Sequence, residues 1–399
     1  MSGAILARLR QVVGDDVVAG PDGRPRVAPR SADGLAAALG TAAQEGWRVR
    51  VEGSGSWLPP DAPADLAVTT GALDRIVSVA PSDLVATVQG GVTLRRLADK
   101  LAGHRTLVAL DPPGSPDRSL GSILATATAG PEAHRFGPVR DQVLGTTIAT
   151  ADGKLVRSGG SVVKNVAGYD LSKIQVGGFG AFGIIVEAHL RLRALPAARR
   201  TLAARGDLDP LFNAARAIVG ASIDATIVEL FATVPGGPWT LIVETAGTEQ
   251  GALIEAQRAR DIGEVPFDVA DSRSTVHAFG EAMTEGPVTL RAGVLPASLP
   301  ETADLVVESL GPGRLSLSAG RGGLRWCGSP TVGGLLALRQ TLAAREIPLT
   351  VERAPWSIRE AVGHFGAFRE GVRPLSDRVR DVFDSRRLIA VALEGRRND

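Results

Sequence analysis

The first half of the chain alternates short apolar and polar runs, broken repeatedly by Gly and Pro. Arg48-Val49-Arg50-Val51-Glu52 has the period of two that marks a half-buried strand. Ile76–Val79, Leu84–Val88 and Leu144–Ala149 are similarly rich in β-formers. Between them, Ala32–Glu45 and Leu94–Leu101 space apolar residues by three and four, which predicts two helices. Ala151-Asp152-Gly153-Lys154 carries the Asp-Gly of a hairpin turn. Ile184–Leu192 is the most regular strand pattern and ends before Pro196. There the pattern changes. Arg199–Arg205 is basic, alanine-rich and poor in apolar residues, and reads as a connector. Strands at Ala225–Ala232 and Trp239–Glu244, a helix at Gln250–Ile262, a helix at Leu299–Leu310, strands at Leu315–Ser318 and Gly323–Cys327, and a helix at Gly333–Arg345 follow. This order predicts a second, α/β domain of about 170 residues. Pro374–Phe383 is again helical and leads into an arginine-rich end.

Composition narrows the classes. A length of 399 residues allows two or three domains. Lys and Arg (44) against Asp and Glu (43) leave a formal charge of +1, which argues against a dedicated nucleic-acid binder. The one cysteine, Cys327, forbids an intrachain disulfide and a cysteine-rich metal or iron–sulfur site. No apolar run reaches the roughly 18 residues of a membrane span, and Met1–Gly14 has arginines and no long apolar core, unlike a signal peptide. The expectation is a cytoplasmic protein, peripheral at the inner membrane only through partners.

Three glycine-rich stretches carry the candidate chemistry. Gly178-Phe179-Gly180-Ala181-Phe182-Gly183 satisfies G-x-G-x-x-G, but a strand pattern follows it, so no helix N-terminus is there to hold a pyrophosphate. Gly53-Ser54-Gly55-Ser56 follows a strand directly, and Trp57-Leu58-Pro59-Pro60 stops any helix. Such a loop can turn successive N–H groups inward to cradle a phosphate, or simply be a tight turn between strands. Asp111-Pro112-Pro113-Gly114-Ser115 and Ser119–Gly130 offer small residues against which a flat ligand could lie. A linker shares that composition but seldom has regular Ile and Leu anchors, so a cofactor-contacting loop is favoured.

Taken in order, the Glu52–Ser56 loop, Val88-Gln89-Gly90-Gly91-Val92-Thr93-Leu94, Ser119–Gly130, Phe136–Gly145 and Gly177–Ile185 resemble the flavin-binding domain of the vanillyl-alcohol-oxidase and para-cresol-methylhydroxylase (PCMH) type. Val163-Lys164-Asn165-Val166-Ala167-Gly168-Tyr169-Asp170-Leu171, Leu290–Pro296 and Val351–Pro355 resemble, more narrowly, the FAD-binding subunits of bacterial glycolate oxidases. The resemblance implies an α+β fold: a PCMH-type FAD-binding domain of two α+β subdomains over residues 1–197, an α/β cap over 198–370, and a C-terminal segment, 371–399, returning to the FAD domain. It implies that Gly53, Ser54, Gly55 and Ser56, with Trp57 beside them, hold the FAD pyrophosphate. Pro113, Gly114, Leu120, Gly121, Ser122 and Thr126 would pass along the ribityl chain and the ring, and Gly183 and Ile185 would offer backbone from the other side. The loop has no His or Cys, so the FAD would be noncovalent. His104 and His134 read as surface or hydrogen-bonded histidines. The tail Phe383-Asp384-Ser385-Arg386-Arg387 lacks the Asp-Pro and Asn-Pro-Gly turns of that family, so the asparagine's role cannot be carried over.

The catalytic residues stay unassigned. Hydroxy-acid oxidation needs a base, a group for the carboxylate, and hydride transfer to flavin. Relatives that act alone resemble one another in a histidine-containing metal stretch. The corresponding Leu317–Arg325 has no His, Asp or Glu, and histidines 104, 134, 189, 277 and 364 show no ligand spacing, so no metal site is expected. Arg135, Arg140, Arg321 and Arg325 could bind a carboxylate, or be solvated or salt-bridged; Arg140 is also a candidate cofactor contact. Tyr169, the only tyrosine, could donate a proton or pack beside the flavin. The first reading is a flavoprotein subunit of a glycolate oxidase complex, with a catalytic flavoprotein subunit and an iron–sulfur subunit as partners. The alternatives are a self-sufficient FAD-linked oxidase of an alcohol or hydroxy acid, and a flavin-free scaffold.

Overall fold

The computed structural model describes residues 2–20, 22–161, 170–366 and 371–393, with only the backbone at 272 and 273. The Val163–Leu171 motif therefore lies, but for Asp170 and Leu171, outside the described residues, as does Tyr169.

A first subdomain joins β1 (Val17–Ala19), β2 (Pro25–Val27), β3 (Val49–Glu52) and β4 (Leu66–Thr69) in the order β1-β2-β4-β3, with α1 (Ser2–Val13) and α2 (Ala32–Glu45). Helix α2 forms where the three-and-four spacing predicts it. Ser31 caps it by accepting from the Gly34 N–H at 3.0 Å, Gly46 ends it at φ +74°, and Leu35, Ala38, Leu39 and Ala42 bury one face. A second sheet comprises β5 (Ile76–Ala80), β6 (Val85–Gln89), β7 (Thr106–Val108), β8 (Val143–Ala149), β9 (Leu155–Gly159) and β10 (Ile184–Ala194), with β10 central between β6 and β8. Helices α3 (Leu94–Ala102) and α4 (Leu120–Thr126) and single turns α5 (Ala133–Phe136) and α6 (Ser172–Gln175) accompany it. Strand β10 follows Gly183 directly, as its alternation requires, so the G-x-G-x-x-G stretch opens no helix.

The stretch Ser119–Gly130 differs from the expected loop. Ser119 is the N-cap of α4, and Leu120, Ile123 and Leu124, at spacings of three and four, all enter the second subdomain's core. These anchors are bulky enough to nucleate packing, and Ala127 ends the helix at φ +49°.

The cap is an eight-stranded sheet of β11 (Ala198–Gly206), β12 (Ala225–Ala232), β13 (Trp239–Gly247), β14 (Asp268–Ala270), β15 (Val288–Gly293), β16 (Arg314–Ser318), β17 (Gly323–Gly328) and β18 (Leu349–Arg353), ordered β14-β11-β13-β12-β16-β17-β15-β18. Strands and helices mix as expected, but every pairing is antiparallel. The expected connector at Arg199–Arg205 is strand β11, which pairs with β13 along all nine of its residues. Alanine and arginine are weak β-formers. The strand is held instead by fully buried Leu241, Ile242 and Val243 of β13, with Leu202 and Ala204 turned into the core. Helices α7 (Leu208–Gly220), α8 (Glu249–Gly263), α10 (Leu299–Leu310) and α11 (Val332–Ala344) share one apolar core with the sheet. The intervening positions point the other way, and many are charged: Glu229 between Val228 and Leu230, Arg325 between Leu324 and Trp326. That face is covered by α9 (Ser272–Ala282) and by the first two subdomains.

After α12 (Trp356–Val362), helix α13 (Val372–Asp384) leads the tail back to β3. The Ala390 N–H donates to Val49 O at 2.8 Å, and the Val49 N–H donates to Leu388 O at 2.9 Å.

Candidate functional site

Between the two N-terminal subdomains lies a cavity, bounded also by the cap and the tail, whose empty space is about 960 Å³ with the solvent at its mouth included. Its floor exists because three backbones approach without side chains. A Cβ on Gly90 would lie 2.3 Å from Ile185 O, and one on Gly91 would lie 2.1 Å from Thr70 O. Gly90 O accepts from the Gly121 N–H at 2.8 Å, fastening α4 to the end of β6. Gly90 and Gly91 carried only the resemblance in the sequence; their contact partners are 70 and 185, far away in the chain.

The 53–56 loop leaves β3 at the cavity's edge. Ser54 Oγ accepts from the Ser119 N–H at 3.2 Å and lies 2.8 Å from Ser56 Oγ. Gly55 has φ +71°, a conformation that disfavours a side chain. A Cβ on Gly53 would sit 2.3 Å from Ser119 Oγ, which is buried and lacks a hydrogen-bond partner among the described residues.

Of the expected contacts, Gly53, Gly55, Trp57, Gly121, Ser122, Thr126, Gly183 and Ile185 line this cavity, and Ser54 and Ser56 complete its rim loop. Four others lie elsewhere. Leu120 is in the core, and its N–H donates to Val92 O at 2.8 Å, so neither its side chain nor its amide is free for a ligand. Pro113 and Gly114 line a second cavity, because the Gly114 N–H donates to Gly280 O of α9 at 3.0 Å and holds that segment against the cap. Arg140 is exposed, 3.6 Å from Asp141, on a third cavity under the cap.

Arg359, His364 and Ile389 are among the lining residues that the sequence did not mark. Arg359 is buried, donates to Ala354 O at 2.8 Å and pairs with Asp61. His364 is buried and stacks on Phe179 at 4.1 Å, its Nδ1 3.0 Å from Val351 O. Burial, with Arg359 and Arg339 nearby, pushes its pKa down to about 3, so it is neutral near pH 7. Ile389 arrives with the tail, whose turn is made by the buried Asp384 carboxylate accepting from the Leu388 and Ile389 N–H groups at 2.8 and 3.0 Å. That carboxylate occupies the stretch where the family's proline and Asn-Pro-Gly turns are missing.

Trp57 crosses to the cap, donating Nε1–H to Glu352 O at 3.0 Å, and the Arg118 guanidinium lies 4.3 Å over its ring. Arg118 is fully buried; its donors reach Ser122 Oγ, Thr126 Oγ1 and Thr128 Oγ1, and its Nη1 has no partner among the described residues. Burial lowers its pKa to about 9 despite Glu352 in electrostatic reach. Of the arginines considered for a carboxylate, Arg135 pairs with Asp224, while Arg140, Arg321 and Arg325 share the third cavity. His104 is exposed; His134 is half-buried against Gly320 of the cap. Among the described residues no three His, Cys, Asp or Glu side chains are grouped to hold a metal ion.

Side chains are excluded from the rim at Gly53, and Ser119 Oγ is left without a partner beside it. Both features fit the diphosphate of a dinucleotide. The matching class is explicit: residues 25–159 match the family described as FAD binding domain. The chain carries a PCMH-type FAD-binding domain, with FAD as its cofactor. The same fold is seen in 4-ethylphenol oxidase from Gulosibacter chungangensis (TM-score 0.74, 12% identity, 98% of this chain and 97% of that one). It is seen too in alkyldihydroxyacetonephosphate synthase (TM-score 0.73, 12% identity, 98% and 85%).

Among named relatives, glycolate oxidase subunit GlcE of Escherichia coli is 38% identical over 134 residues, 33% of this chain and 38% of that protein. Glycolate oxidase subunit GlcD of Bacillus subtilis is 28% identical over 223 residues, 55% and 46%. An FAD-linked oxidoreductase of Mycobacterium tuberculosis is 27% identical over 290 residues, 71% and 62%. The chain thus spans less than two thirds of the length of each. Bound flavin supplies a two-electron acceptor for substrate hydride. The residues that would shape its seat are those lining the cavity: Gly53 and Gly55 would admit the phosphates, Gly121 and Ser122 would border it, and Phe179, His364 and the tail would close it.

Proposed function

We propose that this chain is the FAD-binding subunit of a glycolate-oxidase-type oxidoreductase, holding noncovalent FAD and passing electrons from 2-hydroxy-acid oxidation. Its partners are a catalytic flavoprotein subunit and an iron–sulfur subunit. The glycine-lined seat between the subdomains, in a chain similar over part of its length to glycolate oxidase subunits, carries this reading. The site residues are Gly53, Ser54, Gly55, Ser56, Trp57, Gly121, Ser122, Thr126, Gly183 and Ile185. A dependent role is supported by Leu317–Arg325, which offers no His, Asp or Glu to take the hydroxyl proton. General-base assistance is worth about 10²–10⁴-fold. No described helix is long and apolar enough to cross a membrane.

The purified chain is expected to be yellow, to release its flavin on acid precipitation, and not to bleach when mixed anaerobically with millimolar glycolate or D-lactate. Co-purified partners should restore bleaching. Rapid bleaching of the lone chain would instead establish a self-sufficient oxidase, and a colourless chain that takes up no FAD would establish a scaffold.

A further inference from the structure

A further cleft lies under the cap and shares no lining residue with the cavity between the N-terminal subdomains. The third cavity, an open cleft of about 850 Å³, is lined by Arg140, Arg291, Arg321, Arg325, Ser316 and Ser318, together with small and apolar residues of 127–139, 176, 323 and 324. Among the described residues no acidic side chain lines it. Arg291 of β15 and Arg325 of β17 are cross-strand partners on the charged face of the cap sheet, Arg321 comes from the turn between β16 and β17, and Arg140 faces them from the FAD-binding domain. They are fixed in position. Arg291, Arg325 and Arg321 donate to Ala127 O at 2.9 Å, Ala129 O at 2.8 Å and Gly130 O at 3.4 Å, the carbonyls that follow α4.

The charge around the cleft does not balance. Arg325 and Arg291 share one carboxylate, Glu352, at 2.7 and 3.4 Å. Arg321 has only Glu229, at 4.0 Å, and that carboxylate already accepts from Ser316 and Ser318 at 2.5 and 2.7 Å. Arg118 stands behind them, fully buried, within electrostatic reach of Arg325 and Glu352 and with no carboxylate in ion-pair distance among the described residues. Four guanidinium groups therefore face two carboxylates. Asp111, also in electrostatic reach of Arg321, brings the neighbouring carboxylates to three, and burial and neighbouring Glu132 push its pKa up. Arg140, the outermost, has Asp141 at 3.6 Å, but both are largely in water, where such a pair is weak.

We propose that the cleft between the cap sheet and the segment 127–130 binds a small dianion, a dicarboxylate or a phosphomonoester, through Arg321, Arg291 and Arg140. Arginine's planar fork suits the paired oxygens of either group, and four lining arginines with no acidic side chain beside them favour a dianion over a monoanion. Binding there is independent of the proposed activity and needs no flavin chemistry.

The test is calorimetric titration of the chain, saturated with FAD so that its phosphate cradle is filled, with succinate, inorganic phosphate and acetate at matched ionic strength. One saturable site per chain is expected for succinate or phosphate, at least tenfold tighter than for acetate. Whichever of the two binds tighter identifies the dianion class. Arg321→Gln should weaken that binding at least tenfold. Arg140→Gln, an exposed position that cannot unfold the chain, should weaken it at least threefold. Acetate binding as tightly as both dianions, no saturable binding, or both variants binding like the unmodified chain would overturn the proposal. The visible flavin spectrum, recorded in parallel, reports the cofactor separately: failure of FAD uptake defeats the flavin reading and leaves the anion result standing, and the converse holds.

Discussion

Gly53 is where a single methyl group decides the site. Its missing Cβ would fall 2.3 Å from Ser119 Oγ, a distance real contacts do not reach, so Gly53→Ala must turn the Ser119 hydroxyl aside or displace the rim loop or the start of α4. Flavin affinity, followed by protein-bound absorbance during dialysis, is expected to fall at least tenfold, about 1.4 kcal/mol. The double variant Gly53→Ala/Ser119→Ala removes the colliding oxygen and should recover part of it. His364 gives the second residue-scale prediction. At its ordinary pKa of about 6.5 an unfolded histidine takes up a proton that the buried, stacked ring refuses until about pH 3. Its folded pKa is depressed, so above pH 6.5 it contributes no pH dependence. As pH falls from 6.5 towards 3 it destabilises the fold progressively, by up to an order of 5 kcal/mol. The fall in Tm between pH 7 and pH 4.5 should be visibly smaller for His364→Gln; identical pH profiles would show that the ring is not the acid-sensitive group.

At the scale of elements, the C-terminal return rests on one carboxylate. Asp384 ends α13, accepts from two successive N–H groups of the tail and lies 3.8 Å from Arg380. Because it is fully buried, its replacement leaves those amides without acceptors, each worth about 1–3 kcal/mol. Asp384→Ala should therefore release residues 388–391 from β3, seen as faster amide exchange at Val49 and Ile389, and loosen the flavin with it. Exchange unchanged at both amides would disprove this account. Such a turn was hard to read from the sequence, where Ser385-Arg386-Arg387 contains neither the proline nor the glycine that usually marks one. Strand β11 was obscured for a related reason: its residues have little β-preference of their own, and pairing with β13 supplies the conformation.

Across the whole molecule, cap and FAD-binding domain meet through charge. Glu352 is the carboxylate that holds Arg325 and Arg291 while they reach across to the carbonyls after α4, and its own backbone carbonyl receives Trp57. These arginines hold its pKa below the usual range in spite of complete burial. Glu352→Gln leaves an uncompensated cluster of buried cations and should cost about 3–5 kcal/mol. The cost should appear as a lower urea midpoint and as earlier proteolysis between the domains. Replacing Glu352 and Arg325 together by Gln and Met should cost less than the single change, because no buried charge is then left without its partner.

Local pattern was enough for most elements and for the turn at Gly53–Ser56. Helix α2, strand β10 and the Gly53–Ser56 turn each depend on spacing, caps or glycine within a few residues, and those are written in the chain. The same local logic showed that no helix opens after the G-x-G-x-x-G stretch, since the strand that follows it is visible in the alternation. What the tertiary structure alone decided is which distant residues meet. It took Pro113 and Gly114 to the cap, Arg140 to another cleft and Leu120 into the core, and it brought His364, Arg359 and Ile389 to the flavin seat. It also made α4 a helix and gathered four arginines around two carboxylates. Strand alternation and pairing can put Arg291 and Arg325 on one face, but only the packed interface brings Arg321 beside them from the turn between β16 and β17 and sets all three against the segment after α4.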